Sequence, residues 1–265
     1  AARVAAGFAR LGVERGDRVV VFVPMSPALY TILAAIQRIA AIPVVLESWI
    51  GKAHLDDGVA SVAAKAIVAP EMALAMCALV PSCARIAVKI AVGPCDRASL
   101  QENAGVDVGA TFEELLATNA RAPIAAVAPN DTGLITFTTG SSGTPKGANR
   151  THAFLRAQHD AIDAHLPYGD DDVDLPIFPI FCLNSAAAGV TTVLPAVDAG
   201  HPSDDDAALL ALQLERCGVT STTLNPGLLR SLARHAIEHG ATFIALKRVV
   251  VGGAPVGASD VALLK

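Results

Sequence analysis

The apolar and polar positions follow two different periods along the chain. Between Leu29 and Ile39, apolar residues lie 3, 4, 7 and 10 positions after the first, which predicts an amphipathic helix. Ser26 and Pro27, just before it, are residue types preferred at a helix N-cap and in the first helical turn. Short apolar runs rich in β-branched residues, such as RVVVFV at 18–23, predict buried strands instead.

The alternation of strand-like and helix-like segments continues to the end of the chain. Further strands are predicted at IPVVLE, AKAIVAP, RIAVKIAV, GLITFT, VTSTTLN and LKRVVVGG. Further helices are predicted at TFEELLATNA, HAFLRAQHDAIDAHL, DDDAALLALQLERCG and PGLLRSLARHAIEHG. This pattern is typical of βαβ units, so the predicted fold class is α/β, with two lobes of mostly parallel sheet flanked by helices. Pro123 and Pro129 bracket a turn-rich stretch, which predicts a first lobe over 1–128 and a second over 129–265.

One loop has the composition of an anion-binding site. Residues 138–147 read TTGSSGTPKG, directly after a predicted strand and shortly before a predicted helix. Gly140 and Gly143 permit positive φ, so backbone N–H groups can turn toward one oxyanion, and Lys146 adds a mobile positive charge. Hydroxyl donors are supplied by Thr138, Thr139, Ser141, Ser142 and Thr144. We therefore predict that this loop encloses the outer phosphates of a nucleotide.

Three other glycine motifs do not fit this loop. The Walker A motif requires glycine directly before its lysine, where this chain has Pro145. The Rossmann pattern G-x-G-x-x-G is absent, and the nucleophile elbow G-x-S-x-G would need glycine in place of Thr144. A flexible surface loop rich in glycine and serine is the remaining alternative, and the density of hydroxyl groups beside a lysine disfavours it.

Composition narrows the function classes further. The chain has 265 residues, of which 52% are hydrophobic, and a formal net charge of −5. The acidic balance argues against general nucleic-acid binding, and the absence of any run of 18 uncharged apolar residues argues against a membrane span. The five cysteines form no C-x-x-C pair, which predicts reduced core thiols in a cytoplasmic protein. Composition does not indicate an oligomeric state.

The glycine loop resembles a known family. TFTTGSSGTPKG, at 136–147, is similar to the phosphate-binding motif of the adenylate-forming (AMP-binding) superfamily, which includes acyl-CoA synthetases, luciferases and peptide-synthetase adenylation domains. The resemblance extends to LGVERGDRVVVFVPMSPALYTILAAIQRIAAIPVV near the start of the chain. It also includes DLPIFPIFCLNSAAAG, where the family has an acyl-pocket segment, and RVVVGGAPV, where the family has a strand and turn against adenine.

The resemblance implies a two-step reaction. A carboxylic acid attacks the α-phosphate of Mg-ATP to give an acyl-adenylate and pyrophosphate, and a second nucleophile, often the thiol of coenzyme A, then takes the acyl group. The implied ligands are therefore ATP, Mg²⁺, a small carboxylic acid and, for the ligases, coenzyme A. Lys146 is implied as the catalytic cation, and the phosphates are implied to contact Thr138, Thr139, Gly140, Ser141, Ser142, Gly143 and Thr144. The implied adenine contacts are Gly252, Gly253, Ala254 and Pro255, and the implied acyl pocket contains Phe181, Cys182, Asn184 and Gly189.

Family segments that would follow the GGAP turn are not found before Lys265. These are a Tyr-Gly-x-Thr-Glu segment whose glutamate helps to hold magnesium, an aspartate for the ribose, and a C-terminal domain with a catalytic lysine. We therefore expect the chain to represent the N-terminal part of a longer enzyme, without the C-terminal catalytic domain. A truncated or degenerate nucleotide-binding chain without catalytic activity is the alternative.

The acyl-pocket segment departs from the pattern of many acyl-CoA synthetases. Those enzymes read P-L-F-H, whereas this chain has Cys182 where they have histidine, followed by small side chains. The β-lactone synthetases of long-chain olefin biosynthesis also lack the histidine, and they resemble this chain in TTVLPAVD and around PVVLESWIGKAHL. Those enzymes adenylate a long-chain β-hydroxy acid and close it to a β-lactone without coenzyme A. The resemblance leaves transfer to coenzyme A and lactone closure both open.

No metal site is predicted from the candidate ligands. HAIEH, at 235–239, fits the zinc-protease pattern H-x-x-E-H, but a zinc site needs a third protein ligand and Gly240 ends the predicted helix at once. The aspartates between 170 and 174 are interpreted as a solvated turn. Those at 204–206 are interpreted as the acidic start of a helix.

Overall fold

The computed structural model of the chain describes residues 1–46, 52–139, 145–197 and 204–263. Contacts between residues divide the chain into two compact units, Ala1–Ala157 and Gln158–Lys265. Helix and parallel strand alternate in both units, which confirms the predicted α/β class with mostly parallel sheets.

The first unit contains seven strands and seven helices within its described residues, and it ends inside an eighth helix. The strands are β1 (Arg18–Val21), β2 (Ile42–Val45), β3 (Ala66–Ala69), β4 (Val88–Ala91), β5 (Ala110–Thr111), β6 (Thr132–Thr139) and β7 (Pro145–Thr151). The helices are α1 (Ala2–Arg10), α2 (Pro27–Arg38), α3 (Lys52–Val62), α4 (Glu71–Cys77), α5 (Pro81–Ala84), α6 (Arg97–Ala104), α7 (Phe112–Leu116) and α8 (His152–His165).

The strands of the first unit form one sheet in the order β5-β4-β3-β1-β2-β6-β7. All neighbours are parallel except β6 and β7, which are antiparallel. The central strands are nearly continuous apolar runs because helices cover both faces of a parallel sheet. Val20 on β1 lies between Val44 and Ile67 on its two neighbours, and all three side chains are buried.

The predicted helix after Ser26 is confirmed as α2. The Ser26 hydroxyl accepts a hydrogen bond from the backbone N–H of Leu29 at 3.2 Å, and Pro27 lies in the first turn. Ile32 and Ile36, one helical turn apart, are fully buried. The apolar spacing thus marks the face that packs into the core, as expected for an amphipathic helix.

The second unit has a smaller sheet, whose described strands follow the order β11-β10-β8-β9 and are all parallel. Its core contains Leu175, Leu210, Leu224 and Leu228, which are fully buried. The strands are β8 (Val173–Pro176), β9 (Thr191–Thr192), β10 (Ser221–Leu224) and β11 (Arg248–Val251). The helices are α9 (Pro179–Ala187), α10 (Asp204–Arg216), α11 (Pro226–His239) and α12 (Ala258–Ala262).

Three features differ from the sequence-based expectation. The contacts divide the chain at 157/158 rather than 128/129, because β6 and β7 pair into the first sheet. Strand β7 was not predicted, because its sequence PKGANRT lacks the apolar alternation of a strand. Of the five cysteines, Cys77, Cys83 and Cys182 are buried as predicted, but Cys217 is exposed and is not a core thiol.

Candidate active site

Three of the predicted phosphate-binding residues lie on the paired strands β6 and β7. Thr138 and Thr139 end β6, and Lys146 lies on β7 directly opposite Thr138. Lys146 is therefore part of a strand, and the helix α8 begins only at His152. The rest of the predicted loop lies outside the described residues, namely Gly140, Ser141, Ser142, Gly143 and Thr144.

The hairpin is anchored to the sheet at its base. Phe137 is buried on β6, and its ring lies across the register from Gly147, where an added Cβ would come within 3.3 Å of the ring. A Cβ added to Gly58 of α3 would lie 3.5 Å from the same ring. Because β6 runs parallel to β2, its carboxyl end lies at the edge where the parallel strands end, which is where ligands commonly bind in α/β sheets.

The predicted adenine turn follows β11 in the second unit. The backbone N–H of Gly252 donates to the Leu224 carbonyl at 3.1 Å, which continues the pairing of β11 with β10. Gly253 has a φ of +85°, a left-handed conformation that favours glycine. Residues 253–255 are exposed, so their backbone groups are accessible.

A buried carboxylate holds the far end of this turn. The backbone N–H of Gly257 donates to Asp260 Oδ2 at 2.9 Å, and Arg230 of α11 donates to both oxygens of the same carboxylate. The Asp260 side chain is buried, and the bond from Arg230 lowers the pKa of this carboxyl group below its usual value. The turn from 252 to 257 is thus fixed to α11 by a charge-assisted pair of hydrogen bonds.

The predicted acyl-pocket residues lie on and just after α9. Cys182 and Asn184 are buried, and Phe181 is half-buried with its ring centroid 6.2 Å from that of Phe178. Gly189 follows the end of the helix, where it is exposed and has a φ of +75°.

The structure brings the predicted adenine turn and the predicted acyl segment together. Both follow parallel strands, β11 and β8, at the same edge of the sheet. A Cβ added to Gly253 would lie only 3.0 Å from Cζ of Phe178, the residue that precedes α9. Two segments that are far apart in the sequence therefore touch at the edge where parallel strands end.

Sequence reasoning missed a buried polar network beneath this edge. Asp174 on β8 is completely buried, and its Oδ2 accepts hydrogen bonds from Ser185 Oγ at 2.7 Å and Tyr168 Oη at 2.9 Å. Burial raises the pKa of Tyr168 to about 12, and the guanidinium of Arg248 lies 4.9 Å from the centre of its ring. The interpretation of the 170–174 aspartates as a solvated turn is therefore wrong for Asp174. The signal that could have shown this is its position inside the apolar run VDLPIF.

The zinc-like motif HAIEH lies at the end of α11, where the rings of His235 and His239 stack with centroids 4.3 Å apart. Nδ1 of His239 lies 3.0 Å from the carbonyl oxygen of His235. Gly240 ends the helix in a left-handed conformation, as predicted. No group of three histidine, cysteine or acidic residues suited to a metal ion is found in the part of the chain that the structure describes.

An open cavity of about 660 Å³ lies elsewhere in the second unit, between α11 and β11. Its walls are mainly apolar, with Leu232, Ala236, Phe243 and Leu246 among them. None of the predicted ATP or acyl residues lines it, so its position does not support a role in the predicted site. No described helix is long and apolar enough to cross a membrane.

Comparison with known sequences identifies the class of protein. Residues 1–264 match the family of AMP-binding enzymes. The chain therefore belongs to this family, which confirms the resemblance of the glycine loop to the adenylate-forming enzymes.

Two relatives illustrate how far the similarity extends. The olefin β-lactone synthetase of Stenotrophomonas maltophilia is 31% identical over 268 residues, which cover 99% of this chain and 46% of that protein. Feruloyl-CoA synthase of an Amycolatopsis species is 29% identical over 267 residues, which cover 97% of this chain and 48% of that protein. The chain thus spans less than half the length of these curated relatives.

Solved structures agree with the fold. The apo structure of MbtA from Mycobacterium smegmatis superimposes with a TM-score of 0.77 at 27% identity, over 99% of this chain and 47% of that one. The amide bond synthetase McbA from Marinactinospora thermotolerans gives a TM-score of 0.78 at 23% identity, over 99% of this chain and 50% of that one, which is a likeness of fold alone.

Proposed function

We propose that this protein activates a carboxylic acid with ATP, forming an acyl-adenylate and releasing pyrophosphate. The observation that supports this best is the contact between the Gly253 turn and Phe178 at the start of the acyl segment. An adenylating enzyme must hold the nucleotide and the acid side by side. Adjacent binding segments at the carboxyl edge of a parallel sheet meet that requirement.

In the proposed first step, a carboxylate oxygen of the acid attacks the α-phosphorus, and the bond to the bridging oxygen of pyrophosphate breaks. Negative charge then has to be stabilised on the leaving group, for which a lysine with hydroxyl and N–H donors is suited. We assign this task to Lys146 and to the hydroxyl and backbone N–H groups of 138–144. Mg²⁺ would arrive with ATP as part of the substrate.

For the second step we propose β-lactone closure of a β-hydroxy acyl-adenylate. The β-hydroxyl oxygen attacks the carbonyl carbon, AMP leaves as its bond to that carbon breaks, and the hydroxyl proton is lost. The similarity to an olefin β-lactone synthetase supports this branch. Similarity to feruloyl-CoA synthase supports a second candidate, in which the thiol of coenzyme A attacks the same carbon, the thiol proton is lost, and a thioester forms as the bond to AMP breaks.

The test is pyrophosphate release by the longest natural form of the protein with ATP and Mg²⁺. Long-chain 3-hydroxy acids, plain fatty acids and aryl acids are each offered with and without coenzyme A. The expected result is release with at least one acid, loss of release in Lys146→Ala, and little change in Lys65→Ala, which removes an exposed lysine on the first unit. Product analysis then separates the branches: a β-lactone without coenzyme A supports closure, and a thioester supports the ligase.

A negative result favours the non-catalytic alternative. If no acid gives pyrophosphate and ATP does not bind, the chain is a degenerate nucleotide-binding fold and the proposed activity is wrong.

A further inference from the structure

Asn184 is a buried side chain whose hydrogen-bonding capacity is only partly used. It lies on α9 and is 7% exposed. Its Oδ1 lies 2.9 Å from Nδ1 of His159 on α8, which donates to it. Its Nδ2 is buried and has no hydrogen-bond partner in the described part of the chain. Buried polar groups nearly always have partners, so an amide with two unused donors requires an explanation.

The position of this amide is fixed by the elements around it. The next residue, Ser185, is fully buried and donates to Asp174 Oδ2 on β8, so α9 cannot rotate about its axis without breaking this bond. The neighbouring Tyr168 donates to the same carboxyl oxygen. Because Oδ1 is paired with His159, Nδ2 is the end of the amide that has no partner in the described chain.

The chemistry of the free end restricts what it can bind. Neutral N–H donors require an acceptor such as a hydroxyl, ether or carbonyl oxygen, and an alkyl chain would leave them unpaired. Phe181, three residues before Asn184 on the same face of α9, is half-buried and presents mainly apolar surface. A mainly apolar chain with one oxygen substituent matches this set of side chains better than a plain hydrocarbon chain.

We propose that Asn184 is a specificity-determining residue, whose Nδ2 donates to an oxygen substituent on the acyl chain of the acid, and that His159 positions its amide. The inference rests on the proposed acid activation, and it assigns the discrimination between hydroxy acids and unsubstituted acids to one side chain. Sites that hydrogen-bond a substrate hydroxyl discriminate strongly against analogues that lack it, because their own polar groups are then left unpaired.

The experiment compares two acids of equal chain length, a 3-hydroxy acid and its unsubstituted counterpart, in pyrophosphate release by the longest natural form. Asn184→Asp keeps the shape and the acceptor for His159 but removes the donors, and Asn184→Leu removes both functions. We expect wild type to prefer the hydroxy acid in kcat/KM, and both variants to lose roughly tenfold to a hundredfold of that preference. Asn103→Leu is the matched control, because Asn103 is exposed on α6 in the first unit, and it should keep the wild-type ratio.

If the variants lose activity equally with both acids, Asn184 is only structural and the inference is wrong. The inference is also wrong if wild type does not prefer the hydroxy acid. If wild type releases no pyrophosphate with any acid, the proposed function fails. The role of Asn184 is then tested by the shift in thermal midpoint that each acid causes, which requires no catalysis. In that case, stabilisation by the 3-hydroxy acid that is larger in wild type than in Asn184→Asp supports the donor role, and equal stabilisation overturns it.

Discussion

At the scale of single residues, Asp174 has a carboxyl group in a place that solvent does not reach. One oxygen accepts from Ser185 and Tyr168, while Oδ1 has no partner in the described chain. We expect Asp174→Leu to lower stability by about 1–3 kcal/mol, because it removes the carboxylate oxygen that accepts hydrogen bonds from Ser185 and Tyr168. Asp174→Asn retains an acceptor oxygen and should cost less. Urea denaturation of the longest natural form measures both, and equal midpoints for the two variants would show that the network does not stabilise the fold.

Tyr168 gives the same network a dependence on pH. Burial raises its pKa to about 12 in the folded protein, whereas an unfolded tyrosine titrates near 10. The stability that it contributes is therefore fully present below about pH 10 and is lost as the pH rises toward 12. The difference in absorbance at 295 nm between the wild type and Tyr168→Phe follows the titration of this side chain. Tyr168→Phe should remove a titration step near pH 12, and a single step near 10 in wild type would contradict this assignment.

At the scale of elements, the turn after β11 depends on one glycine. Gly253 has a positive φ, and a Cβ there would lie 3.0 Å from the Phe178 ring. Gly253→Ala should therefore lower stability by roughly 1–2 kcal/mol through backbone strain, with any displacement of Phe178 adding to it. Gly252→Ala is the matched control, since no positive φ is found there and an added Cβ would meet nothing within 4 Å. Thermal midpoints measure the difference, and equal losses would mean that the left-handed turn is not required.

The elements also show where sequence reasoning works and where it stops. The apolar spacing of α2 and the valine run of β1 identify these elements because both carry buried apolar side chains at regular positions. Strand β7 has no such face: it is held by antiparallel pairing with β6, and backbone hydrogen bonds require no apolar pattern in the sequence. The resemblance places Asn184 in the acyl segment, but only the structure shows that its Oδ1 pairs with His159 while its Nδ2 has no partner in the described chain.

At the scale of the whole molecule, family membership and fold follow from the sequence more securely than the organisation into units. Alternating strands and helices predict an α/β fold, and this prediction does not depend on where the boundary between the two lobes is placed. The contacts divide the chain at 157/158 because the strand before the glycine loop pairs with β2, over 80 residues earlier in the chain. Such a pairing is a property of the sheet and cannot be read from the composition of a proline-rich stretch.

The thermal midpoint of the intact protein reports the binding of a nucleotide. A ligand that binds only the folded state stabilises it by RT ln(1 + [L]/Kd), which is about 2.7 kcal/mol when the ligand is at a hundredfold excess over Kd. Mg-ATP should therefore raise the thermal midpoint of the longest natural form without any acid present. Lys146→Ala should reduce this shift, because the cation proposed to neutralise the phosphates is lost, whereas Lys65→Ala should retain it. An equal shift in both variants would show that the nucleotide binds without the glycine loop, and the phosphate assignment would then be wrong even if the enzyme activates acids.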